Sequence, residues 1–78
     1  MKFRLIWDPA ARFVFYRLPI HTATLVARSV IRFAETGEGE ITWVAPYYRL
    51  RAGFHDAVLV IDPDAGTIAV LRIYRMRR

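Results

Sequence analysis

Apolar and polar positions follow two different periods along the chain, and the change of period separates a helical part from a strand-rich part. Between residues 20 and 35, apolar and polar positions each recur at spacings of three and four, as in a helix with one buried face. The apolar positions are Ile20, Ala23, Ala27, Val30, Ile31 and Ala34. From residue 47 onward the pattern is typical of strands, in the runs YYRLRA, AVLVID and TIAVLRIYR.

Local signals predict where the elements begin and end. KFRLIW reads as a short first strand, after which Asp8 suits the N-cap of a helix and Pro9 its first position. Pro19 breaks this helix and opens the next one, and Gly37 ends the second helix. The stretch DPDAG, residues 62–66, predicts a hairpin turn between the last two strands.

The order of these elements predicts an α+β fold in one domain spanning residues 1–78. The expected order is β-α-α-β-β-β, with a helical hairpin packed on a four-stranded, mostly antiparallel sheet. The run AVLVI is apolar without alternation, which predicts a central strand. The stretch GEGE is predicted to be a loop.

Composition excludes several classes of function. The chain has no cysteine, and its two histidines, His21 and His55, lie too far apart for ligand-like spacing, so we expect no metal and no cofactor. The N-terminal apolar run is too short for a signal peptide, and no stretch is long enough to span a membrane. We therefore expect a soluble, cytoplasmic protein without a membrane partner.

Charge indicates the kind of partner. The net charge of +5 comes almost wholly from arginine, which suits bidentate contacts with phosphate or carboxylate groups. Strand alternation places Arg49 and Arg51 on one face of their strand, while Leu50 and Ala52 point to the other. A basic face of this kind favours nucleic acid or an acidic protein as the partner, without choosing between them.

The motif YRLRAG followed by VLVIDPDAGTIAVLRI, together with WDPAA and a helical hairpin broken at LP, resembles the RelE/ParE superfamily of type II toxin–antitoxin toxins. The likeness covers nearly the whole chain. It implies a small basic toxin held inactive by a cognate antitoxin. RelE-like members cut mRNA on the ribosome without a metal, whereas ParE-like members inhibit DNA gyrase.

The resemblance also implies a set of site residues on the concave face of the sheet. The family's basic pair falls on Arg49 and Arg51, and Arg72 and Tyr74 are expected on the same face. The predicted residues are, as catalytic candidates, Arg49, Arg51, Arg72 and Tyr74; for RNA binding, Arg49, Arg51, Arg75, Arg77 and Arg78; and for antitoxin binding, in a wide apolar band of the second helix, Leu25, Val26 and Phe33.

Two departures from the family pattern bear on this site. The arginine usual in the third strand falls on Asp56, which we expect to form an ion pair with Arg49, Arg51 or Arg72. The usual C-terminal arginine falls on Met76 or, with a one-residue slip, on a neighbouring arginine, and the C-terminal tyrosine or histidine is absent. His55 is expected on the helix-covered side.

Three hypotheses stay open at the level of sequence. The first is a ribosome-dependent mRNA endoribonuclease in which arginines stabilise the charge of the cleaved phosphate. The second is a non-enzymatic toxin that binds DNA gyrase. The third is a protein with the toxin fold that has lost the chemistry and serves only as a binding partner.

Overall fold

A computed structural model, which describes residues 2–76, contains two helices and five strands. In chain order these elements are β1 (Arg4–Trp7), α1 (Pro9–Phe15), α2 (Ile20–Thr36), β2 (Glu40–Val44), β3 (Tyr47–Ala52), β4 (His55–Asp62) and β5 (Thr67–Arg75). The strands form one sheet in the order β1-β5-β4-β3-β2. Strand β1 runs parallel to β5, and every other pair is antiparallel. The predicted α+β class and mostly antiparallel sheet are confirmed.

The number of strands differs from the prediction, because the sheet has five strands and not four. The missed strand is β2, which pairs with β3 at the edge of the sheet. Only Ile41 of its residues is partly buried. The run EITW alternates polar and apolar residues, so the sequence carries a short strand signal there, which the prediction of a GEGE loop followed directly by β3 did not use.

The ends of the helices follow the local signals. The Asp8 carboxylate caps α1 by accepting a hydrogen bond of 3.0 Å from the Ala10 amide, and Pro9 occupies the first helical position. Pro19 precedes α2, and Gly37 ends it in the left-handed conformation. The predicted turn after β4 is present as well, with the Ala65 amide donating to the Asp62 carboxylate. These four local predictions are confirmed.

The core lies on one face of the sheet, between the strands and the helices. Strand residues such as Leu50, Leu59 and Ile68 are fully buried there, against side chains of α2. One of these helix residues is Val26, which is only 1% exposed. The expectation that Val26 lies in an accessible apolar band is therefore wrong, because its side chain belongs to the core.

An irregularity in β5 determines which side chains face away from the helices. Val58 pairs with Arg72, but the next residue, Leu59, pairs with Val70, so Leu71 has no partner on β4. This β-bulge reverses the alternation along β5. Without it, Arg72 and Tyr74 would point toward the helices; with it, they lie on the opposite face, which we call the open face.

Candidate nucleic-acid interface on the open face of the sheet

The strand register arranges the open face in rows that cross four strands. We call two neighbouring rows the Asp56 row and the Arg49 row. The Asp56 row consists of Glu40, Arg51, Asp56 and Tyr74, and the Arg49 row consists of Thr42, Arg49, Val58 and Arg72. All four predicted catalytic candidates, Arg49, Arg51, Arg72 and Tyr74, thus share one face and lie in adjacent rows.

In the Asp56 row, the positive charge is countered by carboxylates. Asp56 is 5% exposed, and its Oδ1 atom lies 3.5 Å from Nε of Arg51. Glu40 is the partner of Arg51 across the β2–β3 pair. The predicted ion pair of Asp56 is confirmed, with Arg51 as the partner. Arg51 is therefore less available to a phosphate than its position in the sequence indicates.

In the Arg49 row, the charges of the arginines are not countered by carboxylates of the described residues. Within residues 2–76, neither Arg49 nor Arg72 forms an ion pair with a carboxylate. The guanidinium carbon of Arg49 lies 5.6 Å from the centroid of the Tyr74 ring, at cation–π distance. This contact holds the Arg49 side chain in place without neutralising it.

An open cleft of about 1160 Å³ lies over the Arg49 row. Arg49, Arg72 and Tyr74 line it on the sheet, and Tyr47 and Phe13 border it from the start of β3 and from α1. A smaller depression of about 170 Å³ lies over the Asp56 row, and Arg49 borders this one too. The larger space on the open face is therefore the one that contains cations without carboxylate partners.

The hydroxyl group of Tyr74 lacks a hydrogen-bond partner in the described residues. The oxygen of this hydroxyl is buried. A buried polar group without a partner costs about 1–3 kcal/mol, so such groups are uncommon away from functional sites. The ring of Tyr74 contacts Arg49, whereas its hydroxyl makes no hydrogen bond to another group of residues 2–76.

Of the other predicted RNA-binding residues, the structure describes Arg75, which lies at the edge of this site. Arg75 pairs with His55 across the β4–β5 ladder, and its exposed side chain borders both the cleft and a groove beside α2. Arg77 and Arg78 lie outside the described residues. His55 lies on the helix side of β4, as predicted, and borders the groove beside α2.

Two of the three residues predicted to contact an antitoxin, Leu25 and Phe33, are at least partly accessible to solvent. Leu25 is an exposed apolar residue on α2, and Phe33 is half-buried against the core. Val26 is buried, as described above. An apolar surface on α2 thus remains, and it includes Ile20 and Ile31, which are 73% and 46% exposed. The expectation that these two residues belong to the buried face of the helix is wrong.

Sequence reasoning missed two residues of the open face. Glu40 faces Arg51 only because β2 exists, and β2 was not predicted. Phe13 borders the cleft from α1, where its apolar side chain reads as a core residue. Its 64% exposure reveals that it is not one.

The described residues contain no group of three or more His, Asp or Glu side chains placed to hold a metal ion. They also contain no helix that is both long enough and apolar enough to cross a membrane.

Comparison with solved structures defines the class of fold as RelE-like. A chain of the archaeal RelE–RelB complex from Pyrococcus horikoshii superimposes with a TM-score of 0.78 at 12% identity, covering 96% of this chain and 96% of that one. A chain of the toxin–antitoxin complex RelBE2 from Mycobacterium tuberculosis gives a TM-score of 0.69 at 18% identity, covering 97% of this chain and 93% of that one. The expected RelE-like fold is confirmed.

Sequence comparisons add no closer relative. No family model matches the chain. No curated protein matches it either. What the solved structures share with this protein is the fold, and function depends on the residues that the fold presents at a site.

Proposed function

We propose that this protein is the toxin of a toxin–antitoxin module and that it cleaves mRNA on the ribosome. The observation that carries the proposal is the pair Arg49 and Arg72, two arginines without carboxylate partners in residues 2–76 that border one cleft on the open face of a RelE-like fold. Arginines of this kind bind phosphate oxygens in bidentate fashion.

The proposed chemistry is attack of a ribose 2′-hydroxyl on the adjacent phosphorus, with departure of the 5′-oxygen of the next nucleotide. Negative charge accumulates on the phosphate oxygens in the transition state, where Arg49 and Arg72 stabilise it. Arginine remains protonated near neutral pH, so it is a poor proton carrier. The 2′-hydroxyl loses its proton to water and the departing 5′-oxygen gains one, which leaves a 2′,3′-cyclic phosphate and a 5′-hydroxyl. Tyr74, which lines the cleft and whose buried hydroxyl would have to turn toward the RNA, is the candidate donor to the 5′-oxygen.

A cognate antitoxin is the second part of the proposal. Both structural neighbours belong to complexes of a RelE protein with its RelB partner or of a toxin with its antitoxin. By analogy, a partner protein would neutralise this chain, and the exposed apolar residue Leu25 with half-buried Phe33 on α2 suits a contact with it. A toxin that acts on ribosomes would work in the cytoplasm.

A second candidate function rests on the Asp56 row. Asp56 places a carboxylate among the arginines of the open face, and both histidines lie elsewhere, His55 on the helix side and His21 on α2. A site with fewer free cations and no imidazole is poorer in acid–base groups than a ribonuclease requires. The alternative is a non-enzymatic toxin that binds a protein target, with DNA gyrase as the family analogue.

The two candidates separate in one experiment. The protein is expressed from a tightly repressed promoter, growth is followed, and RNA 5′ ends are mapped across translated messages. We expect growth arrest with new RNA ends, lost in Arg49→Ala/Arg72→Ala and retained in Arg28→Ala/Arg32→Ala, which removes the same charge from α2. Arrest without new ends, accompanied by DNA damage, supports the gyrase alternative. No arrest contradicts both and leaves a toxin fold without toxicity.

A further inference from the structure

We infer that Phe13 of α1 is the platform on which one base of a single-stranded RNA stacks, while an adjacent phosphate binds Arg49 and Arg72. The inference deepens the proposed function and rests on it, because it assigns the nucleobase side of the same cleft. Phe13 borders the cleft from the helix, and the two arginines border it from the sheet.

The ring of Phe13 is accessible to a base from solvent. Its side chain is 64% exposed, so it contributes little to the core. A large exposed aromatic ring beside free cations matches the usual design of single-strand sites, in which bases stack on aromatic rings while arginines follow the backbone. Such stacking is tolerant of base identity, because every base offers a flat face.

The helix that carries the ring is anchored to the sheet, and the ring itself contacts Arg17. Helix α1 is anchored through Ala11, which is fully buried, and by the Asp8 amide, which donates to the Val70 carbonyl over 2.9 Å. The guanidinium carbon of Arg17 lies 5.3 Å from the centroid of the Phe13 ring. A ring held in this way loses less conformational freedom when a base stacks on it.

The sheet side of the cleft supplies the matching groups. Tyr47, an exposed aromatic residue at the start of β3, borders the cleft together with Arg49 and Arg72. The cleft therefore has aromatic rings on two sides, and the arginines that line it, Arg49, Arg72 and Arg75, all belong to the sheet. Among the described residues that line it, there is no aspartate or glutamate to repel a phosphate.

The test uses a fluorescent pentaribonucleotide and the set of strands in which each base is removed in turn, with affinity read by fluorescence anisotropy at low salt. For the wild-type protein we expect removal of one particular base to weaken binding at least fivefold. In Phe13→Ala, removal of that base should have no further effect. Phe13→Trp should restore the sensitivity.

The chain offers a matched control. Phe54 is also 64% exposed but lies in the β3–β4 turn, away from the cleft, so Phe54→Ala should bind every strand as the wild type does. Phe13→Ala removes a mostly exposed side chain and should melt within a few degrees of the wild type. A circular-dichroism melt checks that both variants are folded.

The outcomes distinguish this inference from the proposed function. If Arg49→Ala/Arg72→Ala weakens all strands alike but Phe13→Ala keeps the wild-type sensitivity to base removal, Phe13 is not the platform and the phosphate site stands. If Phe13→Ala and Phe54→Ala weaken binding equally, the inference is overturned as well. If the arginine variant binds every strand like the wild type, the proposed RNA-binding function fails.

Discussion

The Asp56 row and the Arg49 row lie side by side on the same sheet face, yet they present opposite electrostatics. Arg51 and Arg49 are two residues apart on β3 and point the same way, but Arg51 lies 3.5 Å from the Asp56 carboxylate, whereas Arg49 rests on the Tyr74 ring. Of the two arginines in the YRLR motif, Arg51 is thus ion-paired, whereas Arg49 has no carboxylate partner in the described residues. The cross-strand neighbour, and not the motif, determines which arginine is available to a ligand.

The largest expected effect comes from removing the free cations. Arg49→Ala/Arg72→Ala should weaken binding of single-stranded RNA by at least roughly 100-fold, because each of the two contacts to a charged group contributes about 1.5–3 kcal/mol. The slope of log affinity against log salt should fall by about 1.4, as two phosphate contacts are lost. Fluorescence anisotropy at several salt concentrations measures both quantities.

The matched variant for this prediction is Arg51→Ala. Its arginine already has a carboxylate partner, so the affinity for RNA should fall by less than about threefold. An Arg51→Ala protein that loses as much affinity as the double variant would contradict the distinction between the two rows.

The next effect concerns the turn that brings Arg51 opposite Asp56. Gly53 has a φ of +64°, and a Cβ atom there would come within 2.7 Å of Cδ2 of Leu25. Gly53→Ala should therefore lower the free energy of unfolding by about 1–2 kcal/mol. Urea denaturation measures the change.

Gly66→Ala serves as the comparison for this turn. Gly66 also has a positive φ, of +68°, but a Cβ atom there would meet no atom of the described residues within 4 Å beyond its chain neighbours. The loss of stability should be smaller than that of Gly53→Ala, because only the backbone term applies. Equal stability of wild type and Gly53→Ala would show that the β3–β4 turn tolerates a side chain and does not fix this register.

Tyr74→Phe separates the ring from the hydroxyl. The substitution removes a buried hydroxyl that has no partner in residues 2–76, so the free energy of unfolding should rise by up to about 1 kcal/mol. RNA affinity should stay at the wild-type value, because the ring under Arg49 remains. Cleavage should fall at least tenfold if the hydroxyl transfers a proton, and full cleavage activity would remove Tyr74 from the chemistry.

The smallest expected effect is an increase in RNA affinity. Asp56→Asn should raise RNA affinity by about threefold and steepen the salt dependence by about 0.7, because it releases Arg51 for a phosphate. Asp64→Asn changes the net charge by the same amount in an exposed turn and should have a smaller effect. An Asp56→Asn protein with wild-type affinity and salt dependence would show that Asp56 does not restrain Arg51.

The parts of the fold that depend on local chemistry were predictable, and the parts that depend on neighbouring strands were not. The cap at Asp8, the break at Pro19 and the helix end at Gly37 each need only a few adjacent residues, and all appear as expected. Strand β2 alternates polar and apolar residues only from Glu40 to Trp43, which is a short signal, and it buries little because it lies at an edge. Its place in the sheet follows from the pairing with β3.

At the candidate site, too, the features that depend on strand pairing were not predicted from the sequence. The sequence placed Arg49, Arg51, Arg72 and Tyr74 together, but the placement of Arg72 and Tyr74 depends on the bulge at Leu71. The buried positions Ile68, Val70 and Ile73 change their spacing from two to three, and this shift is the signal in the sequence that indicates the bulge. The pairing of Asp56 with Arg51 in particular required the register.

The central claim is that the Arg49 row, and not the Asp56 row, is the surface that binds RNA. The most direct measurement is an NMR titration of the isotope-labelled protein with the pentaribonucleotide, following backbone amides and arginine Nε–Hε signals. We predict the largest shifts at Arg49, Arg72 and Tyr74, with the Arg51 Nε–Hε signal little changed. Shifts concentrated at Arg51 and Asp56, or on α2, would contradict the account.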